Sequence, residues 1–324
     1  MELKRQMTQI SLIIPTILVI FLCTFFQCKR NQPEQLTPGQ SERQNRTLRL
    51  GLIPEINIFE QKQRYQPLVN FISAKTRIPI TISINQSYHR IIEELEKENI
   101  ELAFLGSMDY AVCHSISKNN TALCSVIARP LWKNRVSTYA GSIFTLEQNK
   151  INADVRSWKN KKIALVHKLT TAGYIYPRYY LQTNGVKNFE QYFKQVIYTG
   201  SHDAALQALL NGEADLAACK NHVVNRFIAN NPNEGPHIKI LATSPEVPSN
   251  GMIISSTVTA ENKQLLKNVL INLHADEEGR KILSEFGAEK FISTDDSDYK
   301  NLDQMLKTIG ETARSIYKTS TKAN

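Results

Sequence analysis

Short apolar runs alternate with amphipathic stretches along most of this chain, and this alternation restricts its fold more than any other feature. The strand-like runs and the helical stretches between them form two blocks, the first over residues 48–105 and the second over residues 162–219. Strands that alternate with helices form βαβ units around a largely parallel sheet. Each block therefore predicts one α/β lobe.

Two extended segments outside these blocks are expected to connect the lobes. Thr138–Phe144 precedes the second block and Gly251–Val258 follows it, so the chain is expected to cross between the lobes twice. Two amphipathic helices over residues 260–274 and 277–286 then follow, and Gly287 stops the second. The boundaries predicted from this organisation are a signal peptide or membrane anchor at 1–28, a polar tether at 29–47, lobe I at 48–140 and 247–310, lobe II at 141–246 and a polar tail at 311–324.

The composition allows a packed core and does not favour a nucleic-acid partner. Of the 324 residues, 42% are hydrophobic and 21% are charged, as in ordinary globular chains. Lysine and arginine number 39 against 30 aspartates and glutamates, a net charge of +9. The basic residues are scattered, however, and no nucleic-acid-reading module is recognisable. We therefore expect no nucleic-acid partner.

The N-terminus has the layout of an export signal. Lys4 and Arg5 precede an almost wholly apolar run over residues 10–26, which predicts that the folded part lies outside the cytoplasm. At about 17 residues, this run is long for a signal peptide and short for a membrane span. Cys28 follows it directly and resembles the lipidated cysteine of a bacterial lipoprotein, while an uncleaved single span is the alternative anchor. Residues 29–47 are polar and predict a tether.

Three further cysteines lie within the predicted lobes. In an exported protein Cys113 and Cys124 could form a disulfide, but their spacing alone leaves this pairing open. Cys219 lies in an apolar strand-like run, which predicts a buried, unreactive thiol.

Signatures of enzymes are missing from the sequence. It contains no HExxH, CxxC, Walker, GxSxG or GxGxxG motif, and no nucleophile with a neighbouring base is recognisable. Asp295–Asp298 does not begin a calcium loop, because Lys300 and Leu306 stand where that loop needs Gly and Glu. We expect no enzyme activity, no metal and no cofactor, and a helix-capping role for Asp295–Asp298.

Two strand-to-helix turns of the second block carry side chains that suit an anion. Thr170 and Thr171 follow one strand-like run, and Ser201 and His202 follow the next. Helix N-termini offer oriented N–H donors and a partial positive charge, and open α/β lobes bind ligands at the carboxyl ends of their strands. The two turns predict an anion site, although an ordinary helix cap and a surface histidine would account for the same residues.

Several runs together resemble the phosphate/phosphite/phosphonate substrate-binding proteins of ABC transporters, from about Leu50 to Tyr299. The most specific are Pro-Arg-Tyr-Tyr-Leu at residues 177–181 and Gly-Ser-His-Asp-Ala-Ala at residues 200–205. The resemblance implies a type II periplasmic binding protein, in which two α/β lobes enclose a ligand cleft. It also implies a small phosphorus oxyanion as ligand and the permease and ATPase of an ABC transporter as partners.

The resemblance further implies individual site residues. The family's Ser-Thr-Ser-Gly loop falls on Thr170, Thr171, Ala172 and Gly173, so that Ala172 lacks one hydroxyl donor. The family's pocket tyrosines fall on Tyr88 and Tyr139, and its pocket histidine falls on His202.

The acidic residues that hold the ligand ammonium group in aminoalkylphosphonate binders fall on His222 and Asn250. Neither is a carboxylate, so we expect a ligand without an amine, such as phosphite, phosphate or a simple alkylphosphonate. The expected function is capture of this anion for an ABC transporter. A module of the same fold that signals to a sensor kinase is the alternative, because both would use the same pocket.

Overall fold

The computed structural model describes residues 46–54, 58–85, 87–118, 120–133 and 135–320. The predicted signal or anchor, Cys28 and nearly all of the predicted tether lie outside these residues. Within them, no helix combines the length and the apolar character that crossing a membrane requires.

The first lobe, lobe I, contains a six-stranded sheet. Its strands are β1 (Leu48–Leu52), β2 (Ile80–Ile84), β3 (Leu102–Leu105), β6 (Cys124–Trp132), β14 (Gly251–Ser255) and β15 (Ala288–Ser293). They lie in the order β15-β6-β14-β3-β1-β2. β1 is parallel to β2 and β3, whereas β14 is antiparallel to β3 and β6. A short hairpin of β4 (Ser117–Lys118) and β5 (Thr121–Ala122) precedes β6.

The second lobe, lobe II, contains a five-stranded sheet. Its strands are β8 (Gly141–Leu146), β9 (Lys162–Leu165), β10 (Gln195–Tyr198), β11 (Leu216–Lys220) and β12 (Ile238–Thr243). They lie in the order β10-β9-β11-β8-β12. β9 is parallel to β10 and β11, and β8 is antiparallel to β11 and β12. The prediction of two α/β lobes is confirmed.

Helices connect the strands in both lobes. Those associated with lobe I are α1 (Ile58–Thr76), α2 (Tyr88–Glu96), α3 (Ser107–Ser115), α8 (Ala260–Asn272) and α9 (Glu277–Phe286). Lobe II has α4 (Tyr176–Thr183), α5 (Phe189–Tyr192), α6 (His202–Leu210) and α7 (Asn221–Asn230), and the last helices of the described residues are α10 (Lys300–Thr308) and α11 (Ala313–Ser320). Ser201 caps α6 by accepting the N–H of Ala204 at 3.1 Å, and Gly287 ends α9 with φ +88°.

Both faces of the lobe I sheet are buried around its central strand β3, which carries an apolar residue at every position. On β3, Leu102 and Phe104 pack with α1, α8 and α9, whereas Ala103 and Leu105 face the opposite side. The two-residue period of the strand thus supplies two separate apolar layers.

Two adjacent extended segments link the sheets. β7 (Thr138–Tyr139) and β13 (Val247–Pro248) pair antiparallel, with Val247 opposite Tyr139. The second crossing therefore lies before Gly251–Val258, the segment in which the sequence had indicated it. Residues 251–255 instead form β14, whose side chains are all buried within the six-stranded sheet.

The three cysteines outside the signal region have distinct environments. A disulfide joins Cys113 to Cys124, whose Cα atoms are 6.0 Å apart, and thereby ties the end of α3 to the start of β6. Cys219 is fully buried, as predicted. Burial raises the pKa of its thiol, which keeps it protonated and unreactive.

The C-terminal residues expected to form a polar tail include α11. Ile316 of this helix is buried, Tyr317 stacks on His89 of α2 at a ring distance of 4.6 Å, and the Tyr317 hydroxyl donates to Glu96 at 3.0 Å. The prediction of a tail is wrong here, because a few apolar side chains at helical spacing suffice when a neighbouring helix receives them.

The acidic run at 295–298 caps a helical turn. Asp295 accepts the N–H of Ser297 at 2.9 Å, and Asp298 accepts the N–H of Asp295 at 3.3 Å, at the start of the turn that leads into α10. The predicted capping role is confirmed.

Candidate functional site

A small cavity lies between the carboxyl ends of the two sheets. It is lined by residues that follow β1, β2 and β3 in lobe I and β9 and β10 in lobe II, together with Lys220 at the end of β11 and Tyr139 of β7. Its volume is about 10 Å³, on the order of one water-sized sphere. The lobes are therefore closed around it, and every polar side chain that lines it is buried.

A loop after β9 contributes two threonines with different roles. The Thr170 hydroxyl donates to the carbonyl of His167 at 2.6 Å, so its proton holds the loop together. Thr171 Oγ1 is also buried, but it has no hydrogen-bond partner among the described residues. A buried hydroxyl without a partner is costly. Thr171 is thus suited to donate to a ligand, whereas the predicted donor role of Thr170 is not available to its O–H.

The same loop leads directly into helix α4. Residues 171–175 form one π-helical turn that continues into α4, with Pro177 in the first turn of that helix. The N–H of Tyr176 donates to the carbonyl of Thr171 within this turn, and Pro177, which has no N–H to donate, follows as the second residue of α4. The helix predicted around residues 172–182 is present, with the π-helical turn of residues 171–175 leading directly into α4.

His202 is positioned by the backbone of β11. Its Nδ1 accepts the N–H of Lys220 at 3.3 Å, so Nδ1 carries no proton. The ring proton of a neutral His202 is therefore on Nε2, which makes that nitrogen a donor. His202 is 2% exposed and lines the cavity as predicted, and it is not a surface histidine.

Lys220, the last residue of β11, places a buried cation at the cavity. Its ammonium donates to Asn250 Oδ1 at 2.9 Å and lies 4.7 Å from the centre of the Tyr139 ring. Lys220 is only 6% exposed. Sequence reasoning missed it, although its position at the carboxyl end of a parallel strand is a signal that could have found it.

Lobe I contributes Ser107 and Asp109, which were also missed. Both lie in the first turn of α3, directly after β3, and both are buried at the cavity. The Ser107 hydroxyl donates to the carbonyl of Pro248 at 2.7 Å and ties this turn to the crossing strand β13. Asp109 adds a carboxylate to the lining.

Tyr88 joins the lobes at the edge of the cavity. It opens α2 in lobe I, and its ring stacks on His167 of lobe II at a centroid distance of 5.3 Å. Burial, with smaller contributions from the charges of His89 and Lys168, lowers the pKa of His167 to about 4. The stacked imidazole is therefore uncharged at neutral pH.

Three predicted positions, His222, Ala172 and Asn250, are not among the residues that line the cavity. Asn250 is buried and accepts a hydrogen bond from the Lys220 ammonium. His222 is exposed on α7, because β11 ends at Lys220 and the helix starts at Asn221. The expectation that His222 faces the ligand is therefore wrong, and Lys220 occupies the cavity on this side. Ala172 is buried, but its Cβ packs towards Gly141, at 3.2 Å from the point that a Gly141 Cβ would occupy.

Comparisons with known proteins indicate one family. Residues 50–299 match the family model of the phosphonate periplasmic substrate-binding protein of ABC transporters. A probable ABC-transporter phosphite-binding protein, PhnD1 of Prochlorococcus marinus strain MIT 9301, is 22% identical over 82% of this chain and 91% of its own. The phosphate-import protein PhnD of Mycolicibacterium smegmatis is 25% identical over 56% of this chain and 57% of its own. The structure of PhnD1 with methylphosphonate has a TM-score of 0.71 at 19% identity and covers 82% of this chain and 98% of that one.

Proposed function

This chain belongs to the phosphonate family of periplasmic substrate-binding proteins of ABC transporters, and we propose that it captures a small phosphorus oxyanion for such a transporter. The observation that carries the proposal is the convergence of Thr171, His202 and Lys220 on one buried cavity. Thr171 offers a hydroxyl, His202 an imidazole N–H and Lys220 an ammonium group. Together these are the groups that a tetrahedral oxyanion needs around it.

The number of donors is sufficient for useful affinity. A hydrogen bond to a charged group contributes about 1.5 to 3 kcal/mol, and a micromolar complex requires about 8 kcal/mol net. Thr171, His202 and Lys220 come from three successive strand ends of lobe II, and Tyr88 and Tyr139 add two hydroxyls to the lining. Five such bonds would contribute about 7.5 to 15 kcal/mol, a range that reaches that requirement before the cost of ordering is subtracted.

The ligand is small and carries no amine. The cavity holds about one water-sized sphere, so it must widen to admit even a compact anion and would have to widen further for a larger one. Lys220 with Asn250 stands on the side where the resemblance implies carboxylates for an ammonium group. A ligand ammonium would there meet the Lys220 ammonium and be repelled. Phosphite, phosphate and methylphosphonate fit these requirements, and the names of the relatives, a phosphite binder and a phosphate importer, support this ligand class.

The protein acts by binding and not by catalysis. Family membership makes it the substrate-binding component of a transporter, which supports delivery to a permease and its ATPase outside the cytoplasm. Anchoring through Cys28 would keep the binding protein near that permease. A role in signalling to a sensor kinase would use the same site. Neighbouring genes separate the two roles, since a permease and an ATPase favour uptake and a histidine kinase favours sensing.

Calorimetry tests the ligand class directly. We expect micromolar or tighter binding of at least one of phosphate, phosphite and methylphosphonate, and weaker binding of aminoethylphosphonate. Lys220→Met, which retains an unbranched side chain and lacks the charge, is the matched control for heat that does not come from the site. If none of the four anions binds the wild-type protein, the proposed function is wrong.

A further inference from the structure

Asp109 is a carboxylate in a cavity otherwise suited to an anion. It is 2% exposed and lines the same cavity as Thr171, His202 and Lys220. Asp109 Oδ2 and Asn250 Oδ1 each lie 3.4 Å from the point that a Cβ on Gly106 would occupy. The Lys220 ammonium donates to that same Asn250 oxygen at 2.9 Å. The carboxylate, the amide and the ammonium therefore gather at one end of the site.

Two features near Asp109 stabilise a negative charge on it, whereas its burial opposes that charge. Asp109 lies in the first turn of the nine-residue helix α3, where the free N–H groups and the positive end of the helix stabilise a negative charge. The nearby ammonium of Lys220 acts in the same direction. An ionised carboxylate only accepts hydrogen bonds.

From this geometry we infer that Asp109 selects oxyanions that still carry a proton, by accepting the hydrogen bond of a P–OH group. The inference rests on the proposed function and names the protonation class of its ligand. A carboxylate repels a fully ionised anion such as sulfate, whereas the O–H of a monoprotonated phosphorus oxyanion forms a short charge-assisted bond with it. Asp109 thus makes the site specific for hydrogen phosphate, hydrogen phosphite or a phosphonate monoanion.

Another arrangement explains a carboxylate here without any role in selection. Asp109 could serve only to balance Lys220 and to stabilise the start of α3. Removal of its charge would then change the affinity for every anion by the same factor. The ratio of affinities for two anions of different protonation separates these explanations, whereas the affinity for either one alone does not.

The first experiment compares phosphate with sulfate by calorimetry on the full-length protein. We expect the wild type to bind phosphate at least 100-fold more tightly than sulfate. In Asp109→Asn, whose amide is able to donate to sulfate, this ratio should fall at least tenfold. Asp303→Asn, an exposed carboxylate of α10 outside the cavity, is the matched control and should keep the wild-type ratio.

A second measurement uses only the wild-type protein, so it tests the inference even if Asp109→Asn fails to fold. Above its second ionisation methylphosphonate has no proton left, whereas phosphate still has one. The ratio of phosphate affinity to methylphosphonate affinity should therefore rise by about tenfold per pH unit there. The other titratable groups that line the cavity in the described part of the chain are Tyr88, Tyr139, His202 and Lys220. Their titration acts on both ligands and largely cancels in the ratio.

The outcomes separate this inference from the function on which it rests. Equal binding of phosphate and sulfate by the wild type, an unchanged ratio in Asp109→Asn, or a ratio of phosphate to methylphosphonate affinity that does not rise with pH each overturns the role of Asp109 while the phosphorus-oxyanion function stands. Failure of the wild type to bind any phosphorus oxyanion overturns the proposed function and this inference together.

Discussion

Replacement of Thr171 by valine tests whether the Thr171 hydroxyl donates to the ligand or only stabilises the fold. Thr171 Oγ1 is buried without a hydrogen-bond partner among the described residues, so valine keeps the shape of the side chain and removes only the O–H. In the absence of ligand the variant loses no hydrogen bond and no longer buries an unsatisfied group. We expect its free energy of unfolding to equal that of the wild type or to exceed it by about 1 kcal/mol.

With ligand bound, the same change removes one hydrogen bond to a charged oxyanion. That bond contributes about 1.5 to 3 kcal/mol, so the affinity should fall roughly 10- to 150-fold. At a methylphosphonate concentration about 100 times the wild-type dissociation constant, ligand stabilises the wild type by about 2.7 kcal/mol. For Thr171→Val, the stabilisation at that concentration should be between about 0.3 and 1.4 kcal/mol.

Chemical unfolding with and without methylphosphonate measures both quantities. Thr145→Val is the matched control, because the buried Thr145 hydroxyl donates to the carbonyl of Asp215 at 2.6 Å in lobe II, away from the cavity. This control should lose about 1 kcal/mol of stability and retain the full ligand effect. If Thr171→Val behaves like the control, Thr171 is a structural residue and the donor assignment fails.

Three further results are expected. Lys220→Met should weaken the binding of every phosphorus oxyanion at least tenfold, because it removes the buried cation; wild-type affinity in calorimetry would rule out contact between Lys220 and the anion. Aminoethylphosphonate should bind no better than methylphosphonate, and a tenfold preference for the amine, about 1.4 kcal/mol, would contradict the assignment of Lys220 to that side of the cavity. Cys28→Ser should release the protein from the membrane fraction; a wild-type protein that takes up no labelled palmitate and keeps residues 1–27 would instead have a single-span anchor.

The sequence predicted the fold well because strand-like apolar runs and amphipathic helical stretches alternate regularly along most of the chain. Strand-like runs such as Leu102–Leu105 and Lys162–Val166 lie within one or two residues of the observed strands. Whether such a run forms a strand depends mainly on the burial of its own side chains, and the pattern of apolar residues in the sequence indicates that burial directly. The predicted tail failed because α11 depends on contact with α2, and sequence alone does not record that contact.

The candidate site was harder to predict because it depends on where each strand ends. Thr171 and His202 follow their strands directly and were identified, whereas His222 was expected at a position where the structure places the start of α7. The strand end that faces the cavity lies two residues earlier than expected, so Lys220 and not His222 lines the cavity there. Asp109 was missed for another reason, since the acidic first turn of a helix is also an ordinary helix-stabilising feature.

The arrangement of the polar side chains on both lobes connects binding with closure. Thr171 and Lys220 belong to lobe II and Asp109 to lobe I, so an anion that bonds to both sides stabilises the closed lobes relative to any open arrangement. The stack of Tyr88 on His167 also crosses the cleft, but an aromatic pair contributes only about 0.5 to 1.5 kcal/mol beyond the area it buries. Each hydrogen bond to the charged anion contributes as much or more. The anion therefore determines the population of closed protein more strongly than this stack does. The measured association constant then equals that of the closed site multiplied by the fraction of unliganded protein that is closed.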